Sequence, residues 1–453
     1  MNFVPLLLRL IQEFKEFSHL INKFNMRRTL IIISLFLFSF VKYSNAQVLF
    51  EDYFTPERLR IDLVFAGNNE YQKIFLEELH AEKEWAGSKK NLIDTFGYGE
   101  NLIEVYSYEG NNLIYSKGFC SLFEEWRDTP ESKEVEMAFT NSLWIPFPKE
   151  KVKVVISERN FEDEKFAKIF SFNVDPVDKS IKRDIENDFT VTSILNNGAS
   201  ENKVDIVFVA EGYTRDEMAK FRSDAARFVG YLFEIEPYKS RKSDFNIWVV
   251  ESISVDSGTD YPQQGIWKNT IAGSNFYTFK TDRYLTAPDH KKVVQLVTNA
   301  PCDAIYVIVN VNKYGGGGIY NYYGLSMSEG KYAAEVFVHE FGHSFAGLGD
   351  EYYNSDVAYQ DMYNLKTEPW EPNLTTLVQF ELKWKKFVSD LTPVPTPNDI
   401  KYKGLIGVFE GGGYSCKGIY RPFIDCRMKT NTAEGFCPVC VDAINRMIDY
   451  YCK

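Results

Sequence analysis

His339, Glu340 and His343 stand within five residues of one another in a chain of 453. On a helix, residues four apart leave the same face one turn apart. Two imidazoles so placed can share one tetrahedral Zn2+. Glu340 then reaches a water beside such an ion rather than the ion itself, the general-base position of the HExxH pattern. The chemistry this spacing suits is metal-assisted hydrolysis. The chain holds only five histidines, His19, His80, His290, His339 and His343, so the pairing around a glutamate stands out against chance. The flanks Val336, Phe337, Val338, Phe341 and Phe345 are apolar, which predicts a buried helix, and buried imidazoles need partners. A histidine pair merely hydrogen-bonded in a core is the structural alternative.

A catalytic zinc takes three protein ligands, so a third should lie just past the helix. No histidine follows His343, so a downstream ligand must be a carboxylate or something less usual. Gly347 and Gly349 can turn the chain back beneath the metal; Asp350 is the first choice for third ligand and Glu351 the second. Tyr352, Tyr353 and Tyr420 are candidate oxyanion donors by proximity to the motifs, with aromatic packing as the plainer role.

Six cysteines, Cys302, Cys416, Cys426, Cys437, Cys440 and Cys452, lie in the C-terminal half, and Cys120 stands apart as an expected buried thiol. In an exported chain such clustering predicts disulfides. A structural zinc site on Cys416, Cys426, Cys437 and Cys440 is the alternative.

Export is expected from the N-terminus. Arg27 and Arg28 precede the apolar run "TLIIISLFLFSF", and small residues lead to Ala46. This is the layout of a signal peptide spanning 1–46, with 1–25 as an upstream extension. The run is short for a membrane span, so no anchor is expected after cleavage. The destination is then secreted, periplasmic or cell-surface. The formal net charge is −12, and the leader holds six basic but two acidic residues, so the rest is more acidic still. An acidic surface repels phosphate backbones, which disfavours nucleic acid as a partner.

Two kinds of pattern position these residues. Residues 47–175 are β-rich: "LRIDLVFAGN", "NLIEVYSYEG", "NLIYSKGF", "VEMAFTNSLWIPF" and "KVKVVISER" are short, aromatic and β-branched. Residues 176–200 are polar and predict a linker. From 201 to 453, "KVDIVFVAEGY", "FNIWVVES" and "DAIYVIVN" predict buried strands, with a helix after Thr214 between the first two, an α/β alternation. "YGGGG" predicts a flexible loop or the edge on which a peptide pairs. The helix of His339 and His343 follows, with Ser328 expected to cap its start and Gly347 and Gly349 to end it.

The string "HEFGHSFAGLGDEY" together with "CRM…FCPVC" resembles the immunoglobulin A peptidase family, M64, over roughly residues 190–453. The β-rich half resembles the N-terminal domain that precedes this catalytic domain. The resemblance implies a zincin, metzincin-like α+β or α/β fold with a twisted mixed sheet and an active-site helix, preceded by a β-sandwich-like domain. It implies His339, His343 and Asp350 as zinc ligands, Glu340 as base, and Met428 in a turn beneath the metal. Against the usual HExxHxxGxxH pattern, the glycine falls one residue late at Gly347, and Gly349 stands where the last histidine would be. The function expected is a secreted zinc endopeptidase acting on protein, immunoglobulin or other host glycoproteins included. A non-catalytic metal-stabilised binding protein and a zinc hydrolase of peptidoglycan peptides are the alternatives.

Overall fold

Seven antiparallel strands form the N-terminal part of the computed structural model, which describes residues 48–183, 187–353 and 362–453. The expected leader, residues 1–46, lies outside the described residues. Strands β1 (Phe54–Gly67), β2 (Gln72–Glu82) and β5 (Met137–Pro148) make one sheet, ordered β2-β1-β5. Strands β3 (Asn101–Ser107), β4 (Leu113–Phe119), β6 (Val152–Arg159) and β7 (Phe166–Val174) make another, ordered β4-β3-β6-β7. Period-2 alternation drives this pairing. Leu59, Ile61, Leu63 and Phe65 of β1 are buried on one face, where Phe65 meets Phe119 of β4 at 6.4 Å.

The other face of β1 is buried too, and it is charged. Arg58 donates to the carbonyls of Val297, Thr298 and Ala300 in the C-terminal part. Glu82 accepts from both Arg58 and Arg60. The N-terminal strands are thus bolted to the rest of the chain by satisfied polar groups, and Leu49–Lys453 forms one compact unit.

The C-terminal part is built on a six-stranded mixed sheet. Its strands are β8 (Val191–Leu195), β9 (Val204–Glu211), β10 (Phe245–Val250), β11 (Ala304–Val309), β12 (Gly316–Ile319) and β13 (Tyr323–Met327). The order is β12-β13-β11-β9-β10-β8. The pairs β9–β10, β9–β11 and β11–β13 are parallel, and both edge strands are antiparallel to their neighbours. Every residue of β9 is buried, as expected of a central parallel strand covered on both faces. Strand β8 lies inside the stretch read as a linker.

Two of the long helices of this part are α1 (Met218–Glu234) and α2 (Ala333–Ala346). A capping box of Thr214 and Glu217 starts the segment leading into α1. Helix α2 seats Phe337 on Phe208 of β9 and Tyr306 of β11, at 5.9 and 4.7 Å between ring centres. Ser328 does not cap it; α2 begins five residues later, with Tyr332 at the cap position and no side-chain capping bond. Gly347 ends it in the left-handed region, φ 63°, as expected. A hairpin of β14 (Phe409–Gly412) and β15 (Ser415–Arg421), and a last helix α3 (Pro438–Cys452), complete the part. Among the described residues no helix is long and apolar enough to cross a membrane.

Candidate active site

Helix α2 carries His339, Glu340 and His343 into a cleft of about 750 Å³. Strand β12 forms one wall, and the approach of strand to helix is close enough to need glycine. A Cβ on Gly318 would sit 2.3 Å from the carbonyl oxygen of Glu340, and one on Gly316 would sit 3.0 Å from the Glu340 carboxylate. Gly316, Gly317 and Gly318 of the "YGGGG" run thus lie in an edge strand rather than a flexible loop. The opposite wall comes from the N-terminal strands and the helix after β4: Glu100, Glu124 and Arg159 line it. That wall is acidic, and burial pushes the carboxyl of Glu124 up to about 7.

The imidazoles are oriented by backbone carbonyls. His339 Nδ1 lies 3.0 Å from Arg427 O, and His343 Nδ1 lies 2.5 Å from Leu348 O. A carbonyl can only accept, so both Nδ1 atoms must donate, and a neutral ring is left with a lone pair on Nε2. The two Nε2 atoms are 3.0 Å apart. Asp350 Oδ1 lies 3.1 Å from one and 3.3 Å from the other. This oxygen is buried and makes no hydrogen bond of proper geometry. Three lone-pair atoms thus converge on one point, an arrangement that repels unless a positive charge sits among them. In tetrahedral zinc coordination, N and O ligands about 2.0–2.1 Å from the ion are about 3.3 Å from each other. The observed triangle fits that spacing.

With a proton as the only cation, His343 is drawn to carry it. Burial lowers its pKa, but the Asp350 carboxylate outweighs burial and pushes it up to about 9. Burial also raises the Glu340 carboxyl, against the pull of the two imidazoles.

Asp350, not Glu351, meets the imidazoles. Glu351 points away, its Oε1 accepting from Asn373 at 3.0 Å. Met428 is fully buried beneath α2, its Sδ 3.0 Å from where a Cβ on Gly342 would stand. Of the tyrosines singled out above, Tyr352 lines the cleft, its ring parallel to that of His339 at 6.4 Å. Tyr353 instead packs on Gly411, and Tyr420 pairs through its backbone with Thr375.

Two cleft residues were not read from the sequence. Tyr414, at the tip of the β14–β15 hairpin, donates its hydroxyl to Asp350 Oδ2. Arg283 donates to the Tyr352 hydroxyl at 3.4 Å. Only the glycine run before Tyr414 in "EGGGYSC" hinted at a tight hairpin. The expected disulfides are absent: none of the seven cysteines is bonded to another, and Cys120 is buried as expected while Cys416 is exposed.

The family model described as IgA Peptidase M64 matches residues 192–404 and 398–448, more than half of the chain. This chain belongs to the M64 peptidase family. The Peptidase M64 N-terminus model matches residues 49–171, the region of strands β1 to β7. An M64 peptidase hydrolyses peptide bonds, so protein or peptide is the substrate class. No curated protein matches the chain.

Proposed function

We propose that this M64 peptidase is a secreted zinc-dependent endopeptidase, with residues 201–453 as a zincin, metzincin-like catalytic domain. The observation that carries this reading is the convergence of His339 Nε2, His343 Nε2 and Asp350 Oδ1 with no hydrogen-bond partner for that oxygen. These three atoms would hold the ion, whose chemistry when bound is Lewis-acid polarisation of water and of the scissile carbonyl. Three ligands leave a fourth position open, as a catalytic rather than a structural site requires.

Glu340 takes the proton of the attacking water and passes it to the leaving nitrogen. Tyr352, held by Arg283, donates to the developing oxyanion. Gly317, Gly318 and Ile319 line the cleft along the edge strand β12, where an extended peptide can add as a further strand. The signal-peptide layout of residues 1–46 supports extracellular protein as the substrate. The family description names immunoglobulin A, which is the first substrate to assay.

The test is Glu340→Ala. Zinc content and the circular dichroism spectrum stay as in the wild type, while hydrolysis of a generic protein substrate falls about 10²- to 10⁴-fold. Equal activity in both proteins refutes the assigned base.

A further inference from the structure

Behind the active site lies a second cluster of metal-ligating type. Cys426, Cys437, Cys440 and Glu351 face one another, their ligand atoms all within 4.8 Å. The sulfur of Cys440 is 3.8 Å from that of Cys426, 3.5 Å from that of Cys437 and 3.3 Å from Glu351 Oε1. Cys426, Cys440 and Glu351 are 0% exposed and Cys437 is 3% exposed. The sulfurs are too far apart for disulfides, whose S–S bond is about 2.05 Å. They match tetrahedral zinc, where ligands about 2.3 Å from the ion lie about 3.8 Å from each other.

The surroundings fit a cation rather than a hydrophobic packing of thiols. Glu351 Oε2 is buried with no hydrogen-bond partner, which an apolar pocket penalises. Cys437 and Cys440 form a CxxC whose first member stands at the N-cap position of α3, and the Cys437 N–H donates to the Cys426 sulfur at 3.1 Å. Such an N–H stabilises a thiolate more than a thiol. Arg421, itself 0% exposed and within electrostatic reach of Glu351, leaves Nε and Nη2 without hydrogen-bond partners. It supplies positive charge beside a site whose four anionic ligands exceed the charge of a divalent ion.

We propose that Glu351, Cys426, Cys437 and Cys440 hold a second, structural zinc ion, closed by four protein ligands. Thiolate donors select zinc over harder divalent cations. The ion ties three distant segments together behind α2. Glu351 directly follows Asp350, and its N–H donates to Met428 O at 2.8 Å. Cys426 stands two residues before Met428, and the CxxC opens α3. The site therefore fixes the backbone that presents Asp350 and the floor beneath the imidazoles. Cys416, exposed on β15, takes no part.

The experiment is metal analysis and cobalt exchange on the purified protein. Wild type carries two zinc equivalents, and cobalt replacement produces a near-ultraviolet thiolate-to-cobalt charge-transfer band. His339→Ala/His343→Ala keeps one equivalent and the band; adding Cys440→Ser removes the band. A wild type with a single equivalent and no thiolate band overturns the proposal, as does an intact mass showing Cys426, Cys437 or Cys440 in a disulfide. The catalytic reading fails separately: there the band persists, but the double histidine variant loses no metal.

Discussion

Two clusters of histidine and carboxylate in this molecule look alike by composition and differ in what surrounds them. His339, His343 and Asp350 meet in the cleft, and Asp62, Glu78 and His80 meet on the charged face of β1 and β2. In the second cluster the carboxylates are neutralised by cations. Asp62 pairs with Arg60 at 3.0 Å, and Glu78 with Lys291 at 3.1 Å and with Lys182. Burial pushes Asp62 up, but the hydrogen bond with His80 and the Arg60 charge outweigh it and hold its pKa at about 2. In the first cluster the lone pairs aim at one another, and the outer atoms of each ring are committed to carbonyls. Proximity of ligand-type residues is thus a weak sign of a metal. Convergence without a neutralising partner is the stronger one.

That contrast can be broken by matched substitutions. Asp350→Ala should lower both zinc affinity and peptidase activity more than 100-fold or so, since even outer partners of metal ligands are worth about 10–100-fold. Asp62→Ala should leave both unchanged, and a shared loss would erase the distinction. Tyr414→Phe comes next. It removes the hydroxyl that orients Asp350 Oδ2, and the expected loss in zinc affinity is about 10- to 100-fold. Metal titration against a competing chelator measures it.

The smallest effect is on stability at the other cluster. Asp62→Asn should cost about 2 kcal/mol at neutral pH, the equivalent of a carboxyl lowered from 3.8 to about 2. Because the folded pKa is depressed, this contribution is complete above the unfolded value and fades as pH falls from about 4 towards 2. Urea unfolding of wild type and variant across that range checks it. A difference that stays constant down to pH 2 would mean that the ion pair is not its source.

Helix α2 and its histidine pair were legible in the sequence because their signal is local: a four-residue spacing on one helix face fixes where two imidazoles go. Asp350 and Glu351 could not be separated that way. Which of them turns under the metal depends on the left-handed Gly347 and on Asn373 bracing the next peptide, its Oδ1 accepting from the Gly349 N–H. Strand β12 reads as a loop because glycine carries no alternation, yet its lack of side chains is what lets it lie against α2. Strand β2 was missed because its charged residues, Glu78 and Glu82 among them, serve the buried network instead of marking a solvent face. Tyr414 and Arg283 reach the site from distant loops, which no spacing rule reports. The disulfide expectation rested on compartment, and it gave way to geometry: the sulfurs of Cys426, Cys437 and Cys440 gather around Glu351 without bonding.

Anomalous scattering measured on either side of the zinc absorption edge, from crystals of the purified protein, tests the central claim most directly. A zinc peak within bonding distance of His339 Nε2, His343 Nε2 and Asp350 Oδ1 is the predicted result. Ordered side chains at these three positions with no zinc peak between them would contradict it.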